Sequence, residues 1–313
     1  MFTYIVRRCF AAIPVMIVVG VFVFLLIHLT PGDPADILAD EDATPGEIQQ
    51  LRESLGLDKP LHTQFLIWSG NIATGDLGTS LLVSKPVTTL MAQRIEPTIF
   101  LAITTLTFAV FLGVPLGVMA AWKQGTWWDH SIMIFAVLGF SVPGFWLGFM
   151  FVSKFAVDWT IVPAQGFVSI REGFGTFLHH MILPTITLGS SYMALITRIT
   201  RATVVEVLKE DYIRTAYAKG LPPMKVLFRH ALQNSSIPIV TVIGIGFALL
   251  INGVVVIETV FNIPGMGNLT IEAVLDRDYP VVQGVILVFS GIYVLVNLVV
   301  DLSYSLFDPR VRH

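Results

Sequence analysis

Few side chains in this 313-residue sequence are spaced to do chemistry. Gly139-Phe140-Ser141-Val142-Pro143 places a serine where a G-x-S-x-G nucleophile would stand but ends in proline, and no H-E-x-x-H zinc pattern occurs. His179-His180 is an adjacent pair; neighbouring helical residues point about 100° apart, a poor geometry for a shared metal, so these imidazoles are expected at a membrane surface. Gly75 to Ser80 lacks the lysine of a phosphate cradle, and no G-x-x-x-x-G-K-[ST] loop is present elsewhere. No catalytic, metal or cofactor-binding set is therefore expected in this chain. What remains is of two kinds. Ser190, Ser191, Tyr192, Asn252 and Glu258 are polar groups inside apolar runs, where such side chains either line a pathway or bond neighbouring helices. The segment 211–238 is long, charged and water-compatible.

That segment begins Asp211-Tyr212-Ile213-Arg214-Thr215-Ala216-Tyr217-Ala218-Lys219-Gly220-Leu221 and has a basic excess from Lys209, Arg214, Lys219, Lys225 and Arg229. Gly220 can end a helix in a left-handed conformation, and Pro222-Pro223 can pre-set the first turn of another. The expectation is helix, sharp corner, helix. A membrane protein keeps such a segment for a partner in the aqueous phase, or simply as an amphipathic surface loop.

The elements that must position these groups follow from composition. At 54% hydrophobic, 13% charged and mean hydropathy +0.76, the chain is far poorer in charge than the roughly 25% of soluble domains. It reads as an all-α integral membrane protein. Six apolar runs near the ~20 residues needed to cross the hydrocarbon core lie at about 9–29, 98–121, 131–155, 181–201, 237–258 and 282–304. Each must satisfy its backbone internally and so be helical. Arg7, Arg8, Lys123, Arg198, Arg201, the basic residues of 209–229, Arg310 and Arg312 fall on one side. Arg52, Lys59, Lys85, Arg94, Lys154, Arg171 and Arg277 fall on the other, which predicts both termini in the cytoplasm. Arg7-Arg8 precedes an apolar run that reaches Thr30 without a small-x-small site, so the first run reads as a retained anchor. The lone cysteine, Cys9, is expected to be a packed or lipid-facing residue.

Residues 31–96 form the largest outer segment and are expected to fold as a small helical cap. Thr44-Pro45-Gly46-Glu47 is a capping box with proline at the first helical position, followed by Ile48, Leu51 and Leu55 on one face before Gly56. A second short helix is expected over 61–72, anchored by Phe65 and Trp68. The acidic bias of the cap suits docking of a soluble protein or a solvated face. Gly113-Val114-Pro115-Leu116-Gly117 and Ser141-Val142-Pro143-Gly144 each combine small residues with a helix-kinking proline, and close packing is the expected use of both. Pro264-Gly265-Met266-Gly267 predicts a tight reversal before a helical run at 269–276.

The run Asp-Tyr-Ile-Arg-Thr-Ala-x-Ala-Lys-Gly-Leu at 211–221, with Arg229-His230-Ala231-Leu232 and Pro238, resembles the ATPase-docking loop of ABC importer permeases of the dipeptide/oligopeptide branch. Arg214-Thr215-Ala216 stand where the wider permease pattern has Glu-Ala-Ala, a departure typical of that branch. Pro31-Gly32-Asp33-Pro34, Leu55-Gly56-Leu57-Asp58-Lys59-Pro60, Gly75-Asp76-Leu77-Gly78, the 258–269 segment and Leu306-Phe307-Asp308-Pro309-Arg310 resemble the same branch, so the likeness spans nearly the whole chain. The resemblance implies a six-helix type I permease bundle: 1–96 as first helix plus extracytoplasmic cap, 97–305 as core with a coupling loop at 204–236, and 306–313 as cytoplasmic tail. It implies a bacterial inner-membrane subunit that imports dipeptides or oligopeptides delivered by a soluble extracytoplasmic binding protein. The expected partners are a second homologous permease, two ATPase subunits that hold the ATP and Mg²⁺, and membrane lipid, but no nucleic acid. Asp211, Tyr212, Arg214, Thr215, Ala216, Ala218, Lys219, Gly220 and Leu221 are the implied ATPase-coupling residues. Nickel complexes, glutathione and sugars are the alternative cargoes of similar permeases. A secondary transporter, which would need an ion site from carboxylates such as Glu258 or Asp301, is the alternative of another class.

Overall fold

A computed structural model describes residues 2–29, 35, 44–54 and 56–307. Among them the named elements are all helices, as an apolar chain that must satisfy its own backbone requires. In order, the helices are α1 (Phe2–Leu29), α2 (Pro45–Ser54), α3 (Leu61–Ala73), α4 (Val87–Trp122), α5 (Trp127–Ser141), α6 (Gly144–Phe151), α7 (Phe174–Val207), α8 (Asp211–Ala218), α9 (Pro223–Lys225), α10 (Ser236–Val260), α11 (Met266–Leu275) and α12 (Tyr279–Phe307). α6 and α9 run on into π-helical stretches, Val152–Asp158 and Val226–Leu232.

Among the described residues four helices are long and apolar enough to cross a membrane: Phe10–Leu29 of α1, α4, α7 and Tyr279–Leu302 of α12. α10, at 25 residues, occupies the fifth expected span. The third expected span, drawn as one run over 131–155, is instead two helices meeting at 98°. Val142 and Pro143 are both extended, with ψ of 125° and 130°, because proline lacks an N–H and pushes its predecessor out of the helical region. Pro115 sits in a similar sequence, yet α4 continues through it. There Gly113 and Gly117 lie against Met193, Ile196, Thr197 and Thr200 of α7, so closely that a β-carbon on Gly117 would come 2.6 Å from Thr200 Cβ. Close packing, the expected use of these glycines, is what the structure shows at 113–117.

The chain divides into two compact units, one of Phe2–Arg94 with Leu269–Val294, the other of Ile95–Asn268 with the chain from Leu295. In the first, α2 opens on the expected capping box: Glu47 N–H donates to Thr44 Oγ1 at 3.4 Å and Thr44 N–H to Glu47 Oε2 at 2.8 Å. Gly56 follows it at φ +68°. Phe24 of α1 meets Phe65 edge-on at 5.3 Å and Trp68 at 5.6 Å, as expected of the α3 anchors, and Trp68 Nε1 donates to Gln283 Oε1. Pro31-Gly32-Asp33-Pro34, the acidic residues at 36–42, the Leu51 and Leu55 side chains and residues 308–313 lie outside what is described.

In the second unit a core of Leu101, Met181, Leu188, Tyr192, Ile196, Leu250, Ile257 and Phe261 joins α4, α7 and α10. A separate cluster of Val118, Ala121, Val204, Val205, Ile213, Ala216, Val226, Leu227 and Ala231 joins the ends of α4 and α7 to the 211–232 segment.

Candidate functional site

The 211–232 segment folds as the sequence predicts. α8 ends at Ala218 with Lys219 as its C-cap, and Gly220 follows at φ +78°, in the left-handed region that favours glycine. Gly220 N–H donates to Tyr217 O at 2.9 Å and Leu221 N–H to Ala216 O at 3.3 Å, the paired bonds of a Schellman stop. Pro222 caps the next helix with ψ 144°, and Pro223 is its first residue, where a missing N–H costs nothing. Tyr212 Oη accepts from Asn234 Nδ2 at 2.9 Å, and the same Nδ2 donates to His230 O at 2.8 Å, so the two arms of the elbow are tied together.

The elbow has two faces. Ile213, Val226, Leu227 and Ala231 are buried beneath it, and so is Ala216, at 6% exposure. Ala216, expected among the ATPase-coupling residues, packs its methyl inside the elbow's own core, because the i, i+3 spacing puts it on the same face as Ile213. Asp211, Tyr212, Arg214, Thr215, Ala218, Lys219 and Gly220 are exposed, and Leu221 is half-buried. The structure adds Tyr217, Met224 and Phe228 to this open face, at 43%, 50% and 53% exposure. Their apolar character next to Lys219, Lys225 and Arg229 was the available signal, but only the corner shows that they are left uncovered.

A second contact, not anticipated from sequence, lies beside the elbow cluster. Asp129, 3% exposed at the start of α5, accepts both arms of Arg201 from α7, Nε at 2.5 Å and Nη2 at 2.7 Å, and also the Gly125 N–H at 3.0 Å. Bidentate charge-assisted pairs of this kind combine strength with fixed geometry.

The polar groups of the membrane runs separate into distinct roles. Ser191 and Tyr192 line an apolar cleft of about 400 Å³ with Phe140, Gly144, Phe145, Thr187 and residues of α10 that include Gly253 and Val256. Ser190 turns its hydroxyl back to Thr187 O at 2.9 Å. Asn252 is helical, but its side chain is outside the described set. Glu258, expected among the pathway candidates, holds a turn together. It is 0% exposed, accepts from Thr98 Oγ1 at 2.5 Å and from Asn268 N–H at 3.0 Å, and Thr98 Oγ1 in turn accepts from Met266 N–H at 2.8 Å. A β-carbon on Gly265 would collide with the Glu258 carboxylate, which explains the glycine there. His179 Nε2 and His180 Nδ1 each engage a carbonyl, of Ile161 and Thr176, with their rings nearly perpendicular.

Comparison with known proteins gives the frame for this geometry. The family described as binding-protein-dependent transport system inner membrane component matches residues 113–313, and its N-terminal counterpart matches residues 1–87. The chain is 48% identical over 310 residues to a probable peptide ABC transporter permease protein, y4tP, of Sinorhizobium fredii (strain NBRC 101917 / NGR234), covering 99% of both chains. It is 42% identical over 313 residues to the glutathione transport system permease protein GsiC of Escherichia coli O6:H1, covering 100% of both. Among solved structures, an inward-facing MetNI methionine ABC transporter superposes with a TM-score of 0.61 at 15% identity, over 72% of this chain and 100% of that one, which is a likeness of fold. This chain belongs to the binding-protein-dependent transport system inner membrane components: it is a multi-pass permease subunit of an ABC importer, whose ATP hydrolysis is carried by separate subunits.

Proposed function

We propose that this permease imports dipeptides or oligopeptides handed to it by a soluble extracytoplasmic binding protein. It works beside a second, homologous permease over two ATPase subunits that hold ATP and Mg²⁺. The observation that carries this reading is the elbow's open face, where Tyr212, Tyr217, Met224 and Phe228 stand exposed among Arg214, Lys219, Lys225 and Arg229. Exposed aromatic and apolar side chains set among charges are the mark of a protein partner. Asp211, Thr215, Ala218 and Gly220 extend the same face, while Leu221 and Ala216 hold it in shape. The division of Lys and Arg supports a cytoplasmic elbow and cytoplasmic termini.

Partner ATPases shift a transporter between states only by binding those states differently. An elbow fastened by a Schellman stop and by Asn234 is stiff enough to deliver that preference to α7 and α10. The peptide cargo is supported by the S. fredii relative, and glutathione, itself a tripeptide, is a second reading supported by the E. coli relative. The test is purification of the intact complex followed by uptake of labelled dipeptide, oligopeptide and glutathione into proteoliposomes containing the binding protein. ATP-dependent uptake by a complex with stoichiometric ATPase subunits is expected. Uptake by the permease alone, driven by an ion gradient, would sink the proposal.

A further inference from the structure

The Asp129–Arg201 pair joins α5 to α7, and its place in the helix packing gives it a purpose. α5 and α7 run antiparallel and are fastened at two levels. At one level Arg201 grips Asp129; at the other, Ser191 Oγ donates to Gly139 O at 3.3 Å. Asp129 and Gly139 are ten residues apart on α5, and Ser191 and Arg201 are ten apart on α7, so the two fastenings share one register and are separated by about 15 Å along each helix. At the second level the helices lie close: a β-carbon on Gly139 would stand 3.4 Å from Ser190 O.

Each end of this fastened pair meets a functional region. Three and four residues beyond Arg201, Val204 and Val205 enter the cluster that seats the elbow on Ile213 and Ala216. Immediately beyond Gly139, Phe140 lines the cleft, and the chain then breaks at Val142-Pro143 so that Gly144 and Phe145 line it as well. The tie at Asp129 joins the start of α5 to α7 three residues before Val204 enters the elbow cluster.

We infer that Arg201 and Asp129 are positioning residues that weld α5 to α7 into a single arm, through which displacement of the elbow reaches the broken α5–α6 wall of the cleft. The inference deepens the importer reading above and rests on it. Arginine's planar fork suits the task, since two parallel bonds resist sliding and rotation where a lysine's point charge resists neither.

The test uses the complete importer in proteoliposomes with its binding protein. Asp129→Asn, Arg201→Lys and the exchange D129R/R201D are compared with the parent for cargo imported per ATP hydrolysed. A spin-label pair at His130→Cys and Ala202→Cys, in a Cys9→Ser background, reports the spacing of the two helices with and without ATP. Expected are a parent whose label distance is the same in both states, and single variants that still hydrolyse ATP while cargo per ATP falls about tenfold, within the usual span of coupling energies. The exchange is expected to recover part of that loss, and because cargo is counted per ATP hydrolysed, a mere loss of folded protein would not lower the ratio. Unchanged cargo per ATP in Asp129→Asn and Arg201→Lys would overturn the inference. So would an ATP-dependent change of label distance in the parent, a measurement that needs no clamp variant to fold. A parent complex with no ATP-driven uptake would instead refute the importer reading itself.

Discussion

At its Ser236 end, α10 follows an elbow whose aromatic and basic side chains stand in the open. At its Val260 end it runs into a turn where Glu258 is wholly buried and bonded to Thr98 and Asn268. Glycine serves both ends, for different reasons. Gly220 is needed for its φ of +78°, with nothing near its missing β-carbon, whereas Gly265 and Gly267 are needed because Glu258 and Val255 leave no room for one. The contrast teaches that one end leaves aromatic and basic side chains uncovered whereas the other encloses its carboxylate. Substitutions should therefore separate stability from transport at the elbow and lower both together at the turn.

Glu258→Ala is expected to have the largest effect, removing two hydrogen bonds to a carboxylate and costing about 3 kcal/mol. The check is the apparent melting temperature and membrane yield, which should fall together with uptake. Gly267→Ala should behave alike at about 1–3 kcal/mol, because the atom it would meet, Val255 Cα at 2.6 Å, is backbone and cannot swing aside. Ala216→Glu breaks the comparison deliberately. It lies on the elbow but in its buried face, so it should behave like a turn variant, with loss of folded protein, and wild-type yield would show that the two faces are wrongly divided.

Gly220→Ala is expected to cost about 1–2 kcal/mol from left-handed strain, and Gly220→Pro to uncouple hydrolysis from uptake while the protein stays in the membrane. Phe228→Ser, on the open face, should change stability by no more than about 0.5 kcal/mol yet depress uptake and ATPase retention on a size-exclusion column. Normal retention would move the docking surface elsewhere.

The smallest effect lies in the cap. Hydrogen bonds from the Thr44 backbone, then from its side chain, hold the Glu47 carboxyl below its ordinary 4.5. A lowered folded value means that the contribution is present above 4.5 and disappears as pH falls through the folded value. Amides at the start of α2 should therefore exchange relatively faster in acid, and Glu47→Gln should abolish that dependence.

Much of this was legible because the signals are local. The capping box at Thr44–Glu47, the glycine stop at 220 and the proline start at 222–223 depend on residues within one turn of each other, and apolar runs of bilayer length announce themselves without partners. The broken third span was not legible, because Pro115 and Pro143 carry nearly the same signal. What separates them is the surroundings: Gly113 and Gly117 lie against α7, whereas Gly144 has open space beside it.

By itself, then, the sequence determined the class of the molecule, its helical runs, the corner at 220–223 and the family resemblance that the comparisons bear out. Only the tertiary structure decided which polar groups face a cleft and which face each other. Ser191 and Glu258 look equally available along the chain, but the first opens on an apolar cleft and the second is enclosed by Thr98 and the 265–268 backbone. The tie between Asp129 and Arg201, 72 residues apart, was likewise invisible along the chain. The physical reason is common to these cases: a buried carboxylate's role is set by the donors that reach it, and those donors come from distant segments that only packing brings together.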